Sequence, residues 1–210
     1  MQPVCSYCVL REATTADHIP PKVCFPKPRP NLITVPACES CNNQFSNLDE
    51  EFASFLSIRV GSDSSVTQRL HEKNKRIIRH NKRLRRAIID RSTKVWLIDE
   101  GNFIKEAYQF KWDGKGHDQM VCRLIRGLFY HVFRRPLPLT STIKGAWSKP
   151  FHDKGLLEIW NGGAGENIGD GGQFRYRYNH TLDAPDTTIW MMTFYDRHFA
   201  TGSTGFVYHT

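Results

Sequence analysis

Six of the 210 residues are cysteines, and the spacing of four of them points to metal binding. Cys5 and Cys8 form one C-x-x-C pair, and Cys38 and Cys41 form a second pair after 29 intervening residues. Each pair presents two thiolates to one ion, and two pairs complete the tetrahedral shell that Zn²⁺ prefers. Four thiolates leave no open position for water or substrate. The spacing therefore predicts a structural zinc site that stabilises the N-terminal segment.

The competing interpretation of a C-x-x-C pair is a redox-active dithiol. That function requires a βαβ context, which the surrounding sequence does not predict. The two remaining cysteines are not expected to bind zinc. Cys24 would be a fifth ligand to a shell that four thiolates fill. Cys122 lies on the apolar side of a predicted helix, where a free cysteine packs as a small apolar group.

Three polar motifs accompany the cysteine pairs. Asp17-His18 precedes two prolines, Asn31 precedes a short apolar stretch, and Asn42 directly follows the second pair. A neutral histidine suits general-base chemistry because its ordinary pKa of about 6.5 lies near the working pH. Carboxylate and amide oxygens favour Mg²⁺ or Mn²⁺, which keep open positions for a phosphate. These residue types are those that phosphodiester hydrolysis requires.

The ordered set C-x-x-C, D-H, N-L and C-x-x-C-N resembles the HNH nuclease family in its four-cysteine form, over roughly residues 5–55. The resemblance implies a ββα-metal fold, in which a β-hairpin packs on a helix, and cleavage that leaves a 5′-phosphate and a 3′-hydroxyl. It implies His18 as the general base. It also implies Asp17 and Asn42 as ligands of a catalytic Mg²⁺ or Mn²⁺, with Asn31 steadying the hairpin and the base.

Two features of this assignment stay open. Asn43 could bind the cation in place of Asn42, or Asn42 could cap the following helix. Asp17 and His18 are neighbours, and neighbours in a regular strand face opposite sides of a sheet. They can serve one site only if the strand ends or bulges there, which the two prolines that follow favour.

The net charge of +8 lies in one segment. Residues 73–91 hold nine basic residues and one acid, and the rest of the chain is balanced at 20 of each sign. Apolar residues recur there at helical spacing, which predicts one amphipathic helix with a basic outer face that ends near Asp90. Such a face neutralises backbone phosphates. The alternative is a solvated face that only keeps the protein soluble. The candidate phosphate contacts are Lys73, Arg76, Arg79, Lys82, Arg83 and Arg86.

The sequence predicts an α+β protein in three parts. These are an HNH ββα-metal module over 1–60, the basic helix over 61–92, and a mixed α/β C-terminal region of unassigned function over 93–210. The module is expected to hold a helix at 44–60 with Asn47 as its N-cap. The C-terminal region is expected to hold a helix at 117–134 and strands at 93–99, 102–110, 156–160, 173–178, 187–194 and 204–208.

Composition excludes several classes of protein. A hydrophobic content of 40% supports a core and argues against wholesale disorder. No apolar run approaches the 18 or so residues of a membrane span. The N-terminus lacks the layout of a secretory signal, so a cytoplasmic location is expected.

The expected function is a metal-dependent HNH endonuclease acting on nucleic acid, DNA foremost. One alternative is a non-catalytic, zinc-stabilised nucleic-acid-binding module in which Asp17-His18 is vestigial. Another is a C-terminal region that binds a protein partner or a second copy, with the zinc site as a scaffold.

Overall fold

The computed structural model describes residues 3–98, 101–111, 113–170 and 172–205, and the mixed helix-and-strand class is confirmed there. Its first half contains β1 (Thr15–Ile19), β2 (Ile33–Ala37), α1 (Glu39–Asn43), α2 (Ser46–Val60), α3 (Ser65–His80) and α4 (Lys82–Asp90). Its second half contains β3 (Ser92–Ile98), β4 (Ile104–Phe110), α5 (Gly114–Phe133), β5 (Ile143–Ser148), α6 (Lys154–Gly162), β6 (Asn167–Ile168), β7 (Phe174–His180), β8 (Thr188–Phe194) and β9 (His198–Thr204).

Strands β1 and β2 form an antiparallel hairpin in a regular register, with Asp17 opposite Val35 and His18 opposite Thr34. Burial alternates along both strands, so one face of the hairpin lies against the protein and the other is open. Helix α5 covers the inner face. A Cβ at Gly127 would lie 2.4 Å from Ile19, which shows how closely the helix approaches the strand.

Two predictions about the helices are wrong. The basic segment is not one helix, because the chain breaks at Asn81, whose side chain caps α4 by accepting a hydrogen bond from the Leu84 N–H. Asn47 is not an N-cap. It lies inside α2, which begins at Ser46, and a separate short helix, α1, precedes it.

The C-terminal region contains a five-stranded antiparallel sheet in the order β5-β9-β8-β7-β6. The predicted strand at 156–160 is wrong, because this segment is helix α6, capped by the Asp153 side chain. Strand β5 was not predicted. The strand predicted at 204–208 lies mostly outside the described residues, and β9 ends at Thr204. Strands β3 and β4 form a separate two-stranded sheet with several exposed apolar side chains.

One hydrophobic core joins the predicted parts of the chain. It runs from the cysteines of the N-terminal module (residues 3–60) through α5 to the strands of the five-stranded sheet, and it includes the buried side chains of Phe52, Leu70, Phe129 and Trp190. The module therefore shares its interior with the C-terminal region. Within the described ranges, no helix has the length and apolar character needed to cross a membrane.

Candidate metal centre and nucleic-acid interface

The structure brings the four predicted zinc ligands together. The sulfur atoms of Cys5, Cys8, Cys38 and Cys41 all lie within 4.8 Å of one another. A tetrahedral ion with Zn–S bonds of about 2.3 Å requires sulfur atoms about 3.8 Å apart. The Sγ atoms of Cys8 and Cys38 are 4.0 Å apart, close to that requirement. The cluster can therefore hold a metal ion such as zinc without rearrangement of the backbone.

Backbone hydrogen bonds hold the two cysteine pairs side by side. Both the N–H and the hydroxyl of Ser6 donate to the carbonyl oxygen of Pro36, over 2.9 and 2.8 Å, which ties the first pair to β2. A backbone hydrogen bond involving Cys41 lowers the pKa of Cys38 to about 6, which favours its thiolate at neutral pH. Cys24 and Cys122 are not part of the cluster, as predicted. Cys24 is fully buried, and burial raises the pKa of its thiol.

Asp17 faces the interior, where one of its carboxylate oxygens accepts two hydrogen bonds. Its Oδ2 atom accepts a hydrogen bond from the Tyr7 hydroxyl and another from Nη2 of Arg123, each over 2.6 Å. Only 8% of its side chain is exposed. Arg123, which comes from α5, also pairs with Asp49 of α2. Asp17 thus belongs to a buried cluster of two carboxylates and one guanidinium.

His18 faces the opposite side of the hairpin. The strand neither ends nor bulges between Asp17 and His18, because the ladder of β1 and β2 continues regularly to Ile19. Neighbouring side chains in a regular strand point in opposite directions. His18 is half-buried, and burial together with the charges of Lys22 and Arg29 lowers the pKa of its imidazole, against the opposing influence of Asp17. The expectation that the strand would place both residues on one side is therefore wrong.

Neither asparagine forms a hydrogen bond with Asp17 or His18 among the described residues. Asn31 is exposed in the loop before β2, with a left-handed backbone (φ 58°) that suits a turn. The Nδ2 atom of Asn42 donates to the Thr15 hydroxyl over 3.2 Å, at the far end of β1 from Ile19. As these side chains are placed, Asp17 and Asn42 do not fit a divalent cation, because hydrogen-bond donors already occupy the Asp17 Oδ2 atom.

The basic helices hold two kinds of cation. Arg76, Arg79, Lys82 and Arg86 are exposed on α3 and α4, where they can meet phosphates. Arg83 instead forms an ion pair with Glu51 over 2.8 Å, so its charge is partly neutralised.

Lys73 is turned inward. Its Nζ atom donates to the carbonyl oxygens of Val23 and Phe25, over 2.5 and 3.0 Å, and burial lowers its pKa to about 8. Lys73 nevertheless lines the groove described next, and its contact with phosphate stays a prediction.

A basic groove of about 830 Å³ separates the loop after β1 from α3. This basic groove is lined by Pro26, Lys27, Arg29, Ser65, Gln68, Arg69, Glu72, Lys73, Arg76 and Ile77. Arg29, which lines this groove, is also one of the cations that lower the pKa of His18.

The sequence analysis did not identify two sets of residues: the cations of the loop between β1 and β2, and the arginine that pairs with Asp17. The loop between β1 and β2 contributes Lys22, Lys27 and Arg29 and no acid within 22–30, a local signal that the larger charge of 73–91 concealed. Arg123 also left a signal, because it is a charged residue among buried apolar positions of a helix. Such a residue needs a buried partner of opposite charge.

No family model matches the chain, and no curated protein or solved structure matches it either. The resemblance to the HNH family therefore depends only on the two C-x-x-C pairs and the D-H, N-L and C-x-x-C-N motifs.

Proposed function

We propose that the protein is a nuclease of the HNH type, in which His18 is the general base that hydrolyses a phosphodiester bond of nucleic acid, DNA foremost. The observation that supports this most directly is the position of His18 on an open, cationic face. Lys22 and Arg29 act on the imidazole there, and Arg29 also lines the basic groove. The bound ion in the cysteine cluster is Zn²⁺, and its function is structural.

The chemistry follows from the neutral imidazole. Burial and nearby cations lower the pKa of His18, so its ring can accept a proton at neutral pH. It takes that proton from a water molecule, whose oxygen bonds to phosphorus while the bond from phosphorus to the 3′ oxygen breaks. The leaving oxygen takes a proton from solvent, which gives a 5′-phosphate and a 3′-hydroxyl. Lys22 and Arg29 stabilise the charge that develops on the phosphate oxygens.

Affinity for the substrate comes from the exposed cations. Arg76, Arg79, Lys82 and Arg86 lie on the outer surface of α3 and α4, and Lys27 and Arg29 face α3 across the groove. Contacts of this kind recognise the backbone and carry no sequence information directly. The nucleic acid is therefore expected to bind with a steep dependence on salt and little preference for sequence.

A second candidate function is nucleic-acid binding without cleavage. One specific observation favours it: the Oδ2 atom of Asp17 accepts hydrogen bonds from Arg123 and Tyr7, and the positive charge of Arg123 beside this carboxylate disfavours a divalent cation there. For the same reason, no step of the proposed reaction passes through a catalytic cation. In this alternative, the zinc cluster and the hairpin are a scaffold for the basic surface.

The experiment that separates these functions uses the zinc-loaded full chain with duplex DNA, single-stranded DNA and RNA. Each substrate is incubated with Mg²⁺ or Mn²⁺ and, in parallel, with EDTA. Cleavage of at least one substrate that disappears in His18→Ala supports the nuclease. Binding without cleavage of any substrate, under either ion, would favour the binding module.

A further inference from the structure

The second hairpin, formed by β3 and β4, exposes several large apolar side chains to solvent. The exposed fractions of Trp96, Ile98, Ile104 and Tyr108 are 64, 71, 70 and 68%. Single apolar residues scattered over a surface are normal, whereas a contiguous exposed group marks an interaction site.

The strand register places these four side chains on one face of the second hairpin. Residues directly opposite each other in an antiparallel pair project to the same side, and so do alternate residues of one strand. This face, called the apolar face below, consists of the pairs Lys94–Tyr108, Trp96–Glu106 and Ile98–Ile104. The exposed apolar groups are therefore neighbours.

The second hairpin is fixed to the protein at its base. The Phe110 ring lies 4.5 Å from that of Phe55, measured between centres, and the Ser92 hydroxyl donates to the Ile88 carbonyl oxygen over 2.7 Å. Beyond the base, no third strand of the described residues extends the sheet. A two-stranded hairpin alone is marginally stable in water. Cover from another molecule would therefore stabilise this one.

The charges on the apolar face restrict which molecule can cover it. Nζ of Lys94 pairs with Glu106 over 2.6 Å and lies 5.1 Å from the centre of the Trp96 ring. The one cation of the face is thus neutralised, which leaves little to attract a phosphate backbone. Two copies of this face carry no net charge and do not repel each other, whereas two copies of the basic segment 73–91 do.

The size of the apolar face suits a dimer. Its four exposed apolar side chains offer about 500 Å² of surface per copy. A standard protein interface buries about 800 Å² per partner, of which about 60% is apolar. One apolar face on each copy therefore supplies the apolar part of a stable interface.

We propose that two copies of this chain associate through the apolar face, packed face to face about a two-fold axis. Such an axis uses the same patch on both copies, so the patch must match itself in charge and in chemistry. A neutral group of aromatic and branched aliphatic side chains meets that condition. This inference goes beyond the proposed nuclease and does not depend on it.

Analytical ultracentrifugation of the zinc-loaded full chain, without nucleic acid and over about 1–100 µM, tests the proposal. Wild type should reach twice the monomer mass. Ile98→Lys should weaken the dimer at least about 100-fold, because each dimer would then bury two unpaired ammonium groups. Leu97→Lys is the matched control on the opposite face of β3 and should dimerise like wild type. A wild type that stays monomeric, or an Ile98→Lys dimer of unchanged affinity, would overturn the proposal.

Hydrogen exchange in wild type gives the answer without a variant. Exchange of β3 and β4 should be slower at the concentrations where the mass doubles, because the dimer covers the second hairpin. A doubled mass with unchanged exchange there would place the interface elsewhere and overturn the proposal. Protection that appears only when single-stranded DNA is added to a monomer would also overturn it and assign the face to nucleic acid. Neither measurement involves cleavage, so the dimer and the nuclease can fail separately.

Discussion

The N-terminal module and the five-stranded sheet bury different kinds of side chain. The module places the Asp17 carboxylate and cysteine thiols inside, whereas the sheet buries aromatic rings such as Phe174, Trp190 and Phe194. Buried charges and thiolates stabilise a fold only when each has a partner, but apolar rings need only contact. Phe25 and Phe52 also give the module packed apolar area, so the module depends on particular pairs of groups as well as on packing, while the sheet depends mainly on packing. Buried charges and thiolates depart from the rule that apolar side chains fill the interior. In natural proteins such departures concentrate at functional sites.

Loss of the zinc ion is the largest expected effect and should fall on the module. Cys38→Ser removes one of four thiolates, and a structural zinc contributes of order 10 kcal/mol to folding. We expect elemental analysis to find zinc in wild type and little in the variant, and hydrogen exchange to show weaker protection in β1 and β2. Cys122→Ser is the matched control, because this thiol lies outside the cluster. Retained zinc and unchanged exchange in Cys38→Ser would refute the assignment.

Removing the cation from the ion cluster of Asp17, Asp49 and Arg123 should have the next largest effect on stability. Arg123→Met leaves Asp17 buried and Asp49 half-buried without their cation, and breaking a buried pair in this way costs about 3–5 kcal/mol. Chemical denaturation should show this loss, while Lys115→Met on the exposed surface of the same helix should change stability little. A double variant that also carries Asp17→Asn should lose less than the sum of the two single changes. Additive losses would show that Asp17 and Arg123 do not interact.

Acid should lower the stability of the fold through two buried histidines, His117 of α5 and His198 of β9. Burial lowers the pKa of His117 to about 4 and that of His198 to about 3, so both are neutral in the folded protein. The unfolded chain binds these protons near pH 6.5, and stability is therefore lost as the pH falls from 6.5 towards 4. At pH 5 the expected loss is about 2 kcal/mol for each histidine.

Denaturation at pH 7 and pH 5 measures this loss. His198→Phe should reduce the difference between the two pH values, because one of the two groups no longer titrates. The comparison with wild type separates the histidines from any acid release of zinc, which both proteins share. An identical pH dependence in the variant would contradict the assignment.

The exposed cations should affect binding and leave stability nearly unchanged. Neutralising Arg76, Arg79 and Arg86 to glutamine should weaken DNA binding. The slope of log affinity against log salt should become shallower by up to about 0.9 for each phosphate that the variant no longer neutralises. Arg83→Gln is the control, since Arg83 already pairs with Glu51. An unchanged affinity in the triple variant would leave the basic helices with a solubility function only.

The sequence predicted local features better than the contacts between them. The cysteine spacing was sufficient for the metal cluster, because a tetrahedral ion restricts which spacings can converge. The hairpin could be located from its motifs. The partner of Asp17 could not be identified, because Arg123 lies 106 positions away and only the folded chain brings them together. Periodicity failed at 154–162, where an apolar run fits a strand and a helix alike, and only the Asp153 cap marks a helix.

Whether His18 acts as a general base is decided by two measurements on the His18→Ala variant. Single-turnover cleavage and affinity are measured on the same nucleic acid, with His80→Ala, an exposed histidine of α3, as the matched control. The rate of His18→Ala should fall by about 10²–10⁴, the usual contribution of a general base, while its affinity stays close to that of wild type. His80→Ala should keep both values. An unchanged cleavage rate in His18→Ala would contradict the proposed nuclease.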